Sequence, residues 1–538
     1  MEGFSAPTAG QTLDAAMPHS AAADWITGRW FTASGALVAE TVPGLDAKTV
    51  FAHLSGRRHV LFLESATAAT AGDQADPQVA LGRYSFVAAD PVHSEVVHTE
   101  GTDPEHGPPT PRNGGLDRLA LASARLRLML EELATPTIPG LPPFQGGIAG
   151  LWSYECGLSL LGIAPSHPGS GASVVGPVAA PLLSLHLYDV VFAFDHALGR
   201  GWFISQGVPA SSGQRRRDRA ADRLHRLLAT GNGPSTAGGT SAATPRPRGL
   251  QPLPRYPAVC STHTATDYRH MVAAGIEAVR AGDVFQVNLA QQFLVEAVVD
   301  PVLLHARARS LNPAPFAAFF DAGAATIVSM SPERFLQVSR GTVRMHPIKG
   351  TRRILASPEA DLYAGADLAA SDKDRAENVM IVDLVRNDLA RVCEPASVRV
   401  EALCRLERYR HVQHLVSVVA GRLRRDLGAL DAFAVASPAG SVTGAPKHRA
   451  CEIIASLEPI PRGPYCGSLG YVGLDGTADF NLLIRTFVVG SGRISFAAGG
   501  GITAASDPEA EHAESMHKAE GLLRVLESLG LTTPQGGP

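Results

Sequence analysis

The stretch GSLGYVGLDGTADFNLLIRTFVVGSGRISFAAGGG, residues 467–501, decides how the chain folds. Its short apolar runs are separated by Asp475-Gly476 and by Gly490–Gly492, residue types that turn a chain back between antiparallel strands. It reads as a three-stranded meander, with Arg485 in the middle of its apolar segment Asn481–Phe487. Parallel strands would need a long crossover between each pair, and no such spacing is present here.

Working outward, strands are expected at 59–65, 83–87, 144–154, 284–291, 316–320, 325–329 and 412–423, and two more within 183–203. Helical apolar spacing runs over 116–134, 212–230, 375–392 and 507–530. A further helix over 266–281 has Thr266 as its cap and Gly282 as its stop. Pro446 falls in the first turn of another. Antiparallel strands interleaved with helices make the class α+β. The arginine run Arg215–Arg219 reads as a solvated helix face.

Composition divides the chain into a disordered leader (1–23), an N-terminal region (24–230), a Gly/Ser/Thr-rich linker or insertion (231–256), a C-terminal region (257–530) and a tail (531–538). Residues 101–114 read as an exposed loop. A formal net charge of −4 offers no basic field for nucleic acid or an anionic membrane. No uncharged apolar run is long enough to span a bilayer. The six cysteines show no paired spacing and read as reduced thiols of a cytoplasmic protein.

Several residues could carry chemistry. Lys349 stands between Pro347 and Gly350, on a turn too rigid to let it wave in solvent. Asp374 and Glu377 share one helix face, and Glu511 and Glu514 another. Were the two pairs to meet, they would form an all-oxygen site suited to Mg²⁺. Arg485, the backbone of Gly499–Gly501, and the helix-opening turn at Gly440–Ala445, with Ser441, are anion-binding candidates. Glu333 follows a proline-stiffened turn and would serve as a general acid if buried. Each also has an ordinary explanation, such as a surface lysine, a solvated acidic pair, or an ion pair between Glu514 and Lys518.

The combination, in order, resembles the chorismate-utilising enzymes: anthranilate, aminodeoxychorismate, isochorismate and salicylate synthases. The matching stretches are GDVFQVNLAQQF, SMSPERF, HPIKGTRR, AENVMIVDLVRNDLARV, HLVS, SVTGAPK, PYCGSLGYVG, FNLLIRTF, AGGGIT and EAEHAESMHKA, within residues 266–520. LFLESA, RYSFV and GGIAGLWSYE resemble the N-terminal part of the anthranilate and aminodeoxychorismate members. Gln286 stands where the water-adding members carry a lysine base, which favours an ammonia user. Lys349 stands where anthranilate synthases typically have alanine, and PIKGT is similar to aminodeoxychorismate synthase component I.

The resemblance implies a large sandwich of two antiparallel sheets with helices outside, the two halves of the chain interleaved. It implies Mg²⁺ on Glu377 and Glu514, helped by Asp374 and Glu511. Chorismate would contact Gln286, Thr351, Ser441, Tyr465, Arg485, Gly499, Gly500, Gly501 and Lys518. Lys349 would be the nucleophile and Glu333 the general acid, with His414 beside the ring. Ammonia would come from a partner glutaminase, because Cys156 and Cys466 lie in synthase-like motifs and neither sits in a glutaminase elbow. Glu64, Ser65 and Arg83 fall in a region that forms an amino-acid pocket in relatives. The alternatives are anthranilate synthase component I and a non-catalytic homologue that only binds a partner.

Overall fold

The computed structural model describes residues 23–65, 82–98, 114–163, 178–210, 213–229, 250–354, 357–408 and 412–533, without the side chains of 114–117, 351–353, 358–360, 362, 408 and 412. The expected leader up to residue 22, the loop over 101–113, most of the linker (231–249) and the tail from 534 lie outside them.

Among the described residues the strands form two antiparallel sheets, of fourteen and ten strands. Both draw on both halves of the chain. In the larger, Leu61–Glu64 pairs with Phe316–Asp321. In the smaller, Gly147–Trp152 pairs with Ser468–Gly473. Leu61, Phe86, Val191, Phe320 and Val488 of the larger sheet cluster with Leu151, Leu469 and Tyr471 of the smaller, which places an apolar layer between the sheets. On the outer side of the larger sheet, Leu522, Leu523 and Leu526 of the last helix pack on Phe293, Phe487 and Phe496. On the outer side of the smaller, Ile381, Val382 and Val385 pack against Val343, Met345 and Val419. Each such buried Leu or Phe contributes about 1.5–3 kcal/mol.

The meander proves to be four strands divided between the sheets. Ser468–Gly473 and Ala478–Asn481 belong to the smaller sheet. Thr486–Gly490 and Arg493–Ile502 belong to the larger. The chain crosses between them at 482–485, so Arg485 is not mid-strand but takes a left-handed φ of 52° at the crossing. The apolar run there reflects burial on both sides of a bend, which looks like strand continuity in the sequence.

Helix starts also shift. Thr264, not Thr266, caps Ala265–Arg280, because Asp267 bonds back to the Thr264 N–H at 3.2 Å and completes a capping box. Ser371 caps Asp372–Ala390, which begins three residues before the expected Arg375. Pro446 precedes Lys447–Leu457 as its cap residue and is not in its first turn. The arginine helix Gly213–Leu228 is not simply solvated. Arg216 is buried with Nε on the Gln206 carbonyl at 2.7 Å, and Arg219 reaches the Val208 carbonyl. These forks satisfy carbonyls left over where the strand Arg200–Ser205 ends.

Candidate active site

The strand Ile348–Arg353 pairs with Val412–Arg422, and its register shifts between Lys349 and Thr351. Gly350 makes that bulge, with φ 75°. A Cβ there would also meet Asp374 at 3.0 Å and Leu368 at 2.8 Å. Glycine is therefore required twice over, by conformation and by the approach of the acidic helix. The bulge leaves Lys349 half-buried, its Nζ donating to the Ser441 carbonyl at 3.3 Å.

Glu333 is buried just ahead of the strand Arg334–Ser339. Its Oε1 accepts the Ser441 hydroxyl at 2.8 Å. Burial pushes its carboxyl up to about 7, against the Ser441 hydrogen bond and the Lys349 charge. Burial lowers the Lys349 ammonium as well; Glu377 and Glu333 oppose that shift and Lys518 reinforces it. One short turn, Gly440–Val442, thus holds an acid by its hydroxyl and an amine by its carbonyl.

The acidic helices come together here. Burial, then the like charges of Asp374 and Glu514, raise Glu377, while Lys349 and Lys373 oppose the shift. Glu511 is buried, accepts the Ser506 hydroxyl at 2.7 Å, and is raised by burial and by Glu514. Burial works against the Glu514 charge, yet Lys518 at 2.8 Å, helped by Lys373 and Lys349, holds that carboxyl below its usual range. Lys518 Nζ also donates to the Gly499 carbonyl at 3.0 Å.

Glycines 499–501 let these groups approach. A Cβ on Gly500 would lie 2.9 Å from Glu511 Oε2 and 4.0 Å from Glu514 Oε1, and one on Gly501 would lie 2.4 Å from Gln286 Nε2. Gln286 is fully buried, and neither atom of its amide has a hydrogen-bond partner among the described residues. An orphaned buried amide is costly unless a ligand satisfies it.

Among the described residues, no three His, Cys, Asp or Glu side chains already converge as a metal cage. Mg²⁺ does not need one, because it takes one or two carboxylates and keeps several waters. The all-oxygen, mutually repelling set of Glu377, Glu514, Asp374 and Glu511 fits that chemistry.

The remaining expected residues differ in character and in place. His414 is buried and lowered to about 3 by burial and by Arg485, so its imidazole is neutral. Tyr465 is buried. The Thr351 backbone faces His414 in the ladder, and its side chain lies outside the described atoms. Glu64, Ser65 and Arg83 line a different cleft, which encloses about 630 Å³, its mouth included. Sequence reasoning missed two buried ion pairs beside the site. Lys447 Nζ meets Asp388 at 2.7 Å, and Arg462 meets Glu458 at 2.6 Å. Lys447 stands inside SVTGAPK, a signal that was visible; Arg462 follows two prolines in a stretch without regular period.

A family model described as chorismate binding enzyme matches residues 74–524. Anthranilate synthase component 1 of Streptomyces coelicolor is 35% identical over 533 residues, 97% of this chain and 96% of that protein. Aminodeoxychorismate synthase component 1 of Salmonella typhimurium is 37% identical over 386 residues, 72% of this chain and 78% of that protein. Among solved structures, anthranilate synthase component I from Streptococcus pneumoniae superposes with a TM-score of 0.64 at 28% identity, covering 84% of this chain and 93% of that one. The menaquinone-specific isochorismate synthase of Escherichia coli shares the fold, with a TM-score of 0.63 at 18% identity over 92% of this chain and 95% of that one. No helix among the described residues is long and apolar enough to cross a membrane.

Proposed function

The chain belongs to the chorismate-binding enzyme family, and from that premise we propose that it acts as an aminodeoxychorismate synthase component I, placing ammonia at C4 of chorismate. The observation that carries this reading is the pairing of Lys349 and Glu333 through Ser441. A half-buried amine with a depressed pKa is a nucleophile, and a buried carboxyl raised to about 7 is a proton donor.

In this mechanism Glu333 gives its proton to the C4 hydroxyl as that group leaves. The Lys349 Nζ lone pair forms a bond to C2, and both ring double bonds shift, C1=C2 to C1=C6 and C5=C6 to C4=C5, as the C4–O bond breaks. Ammonia then bonds to C4, both double bonds return, the Lys349 amine departs with its electron pair, and the added nitrogen gives a proton back to Glu333. The products are 4-amino-4-deoxychorismate and water. Arg485, Tyr465 and the Gly499–Gly501 backbone would bind the side-chain carboxylate, with Lys518 nearby. Neutral His414 and the unsatisfied Gln286 amide would line the ring site. Mg²⁺, when bound, would neutralise the ring carboxylate. Glu377 and Glu514 would hold it, with Asp374 and Glu511 directly or through water. Ammonia would be delivered by a separate glutaminase subunit, and the product would serve para-aminobenzoate and folate synthesis.

A second reading, anthranilate synthase component I, is favoured by the match to the Streptomyces coelicolor protein along almost the whole chain. Incubation with chorismate, an ammonium salt and Mg²⁺ separates the two. Aminodeoxychorismate without pyruvate supports the proposal; anthranilate fluorescence with pyruvate release replaces it with the second reading.

A further inference from the structure

We propose that Arg462, locked to Glu458, is a positioning residue that sets the Ser441–Val442 turn, and through it Glu333 and Lys349, against the strand carrying Gln286. This rests on the reading that Glu333 and Lys349 perform the chemistry.

The guanidinium is buried and makes four hydrogen bonds. Its Nε and Nη2 grip the Glu458 carboxylate at 2.9 and 2.6 Å. Nη1 donates to the Val442 carbonyl at 2.9 Å, and Nη2 to the Asn288 carbonyl at 2.7 Å. Glu458 Oε1 in turn accepts the Ala290 N–H at 3.0 Å. The rings of Tyr154 and Tyr465 lie 4.8 and 5.8 Å from the guanidinium carbon.

The acceptors explain why this pair does more than staple the fold. Val442 adjoins Ser441, whose two ends hold the acid and the amine. Asn288 and Ala290 belong to the Gln286–Glu296 strand, whose partners are the Gly499–Gly501 glycines. The turn itself is a single 3₁₀ segment with no side-chain cap. A Cβ at Gly440 would strike Leu384 at 2.3 Å, so the acidic helix confines the turn at Gly440 while Arg462 holds it at Val442. Only a planar fork can reach a carboxylate and two carbonyls in different directions; a lysine cannot span them.

The test compares Arg462→Lys and Glu458→Gln with the parent, each in the wild-type and the Ser441→Ala background. Circular dichroism and melting confirm folding, and chorismate consumption gives kcat and KM. Displacing the turn is expected to lower kcat about tenfold or more while KM stays within about threefold. Most of that loss should vanish in the Ser441→Ala background, because the two changes act through one turn. Wild-type kcat in a folded Arg462→Lys, or the same loss in both backgrounds, overturns the proposal. If Arg462→Lys does not fold, the milder Glu458→Gln decides by the same two criteria. A Glu333→Gln enzyme that turns over like wild type overturns the underlying reading and this inference with it. Loss in Glu333→Gln without loss in Arg462→Lys overturns this inference alone.

Discussion

Glu333 and Arg334 are consecutive residues serving opposite sides of one extended segment. Glu333 faces the Lys349 cleft. Arg334 faces the cleft lined by Glu64, Ser65 and Arg83. The two sides treat charge differently. On the Arg334 side the charges are paired: Arg334 makes two 2.9 Å bonds to Asp479, Arg83 grips Asp195 at 2.8 Å, and Glu64 is bonded by Arg309. On the Glu333 side the groups that hold Glu333 and Lys349 themselves are neutral, the Ser441 hydroxyl and the Ser441 carbonyl, and the Gln286 amide nearby is unsatisfied. Groups neutralised by forks are fixed in charge, while groups held by neutral donors and acceptors can still exchange protons. Under the proposed mechanism, the groups that react are those whose charges are not neutralised by a fork.

The harshest way to break the contrast is to remove the amine. Lys349→Ala should lower aminodeoxychorismate formation by about three orders of magnitude or more. The residual product should shift toward anthranilate, since ammonia then has only direct addition at C2. Chromatography of the products from chorismate and ammonium checks this. Unchanged aminodeoxychorismate output would end the nucleophile role.

Next is the acid. Glu333→Gln keeps the shape and removes the proton, and should lower kcat about 10²–10⁴-fold. The Glu333 carboxyl is raised to about 7, so it is protonated below that pH and loses its proton above it. The rate should therefore fall as pH rises through about 7, and that alkaline limb should be missing in Glu333→Gln. A limb that persists in the variant would assign the titration to another group.

Much of this cleft was legible in the sequence because its chemistry lies in short motifs: SPERF, PIKGT, SVTGAPK and the acidic pairs of two helices. The α+β class was legible for the same reason, since turns such as Asp475-Gly476 announce themselves locally. What was not legible depends on distance. Arg485 looked like a strand residue because nothing local marks a change of sheet. Arg216 looked solvated because its acceptor, the Gln206 carbonyl, is set by tertiary packing. Arg462 had no motif, and its partners Asn288 and Val442 are far away in the chain.

Ser441→Ala sharpens the contrast more gently. It deletes one hydrogen bond to a carboxyl, about 1.5–3 kcal/mol and so about 10- to 150-fold in kcat. The Ser441 bond holds the Glu333 carboxyl down, so its loss should move the alkaline limb to higher pH. A limb moving to lower pH would show that Ser441 favours the protonated form instead.

The smallest effect on activity should come from the opposite side. Arg334→Met leaves the half-buried Asp479 without its fork; breaking a fully buried pair costs about 3–5 kcal/mol of stability, and this partly exposed one should cost less. Burial already raises the Asp479 carboxyl, against the pull of Arg334; without the arginine it rises further. A folded pKa raised above the unfolded one gives stability that is intact at low pH and is lost as pH rises through the folded value. The deficit of Arg334→Met should thus be small near pH 4 and grow toward neutrality, as denaturant melts across pH would record. Adding Asp479→Leu should restore much of it, because the cost is that of the stranded charge. Through all of this kcat should stay within about threefold of wild type, the altered group lying behind the segment and not in the cleft. If Arg334→Met instead lowered kcat as far as Glu333→Gln does while the protein stayed folded, the two sides would not be independent, and charge pairing in the second cleft would be part of how the first is held.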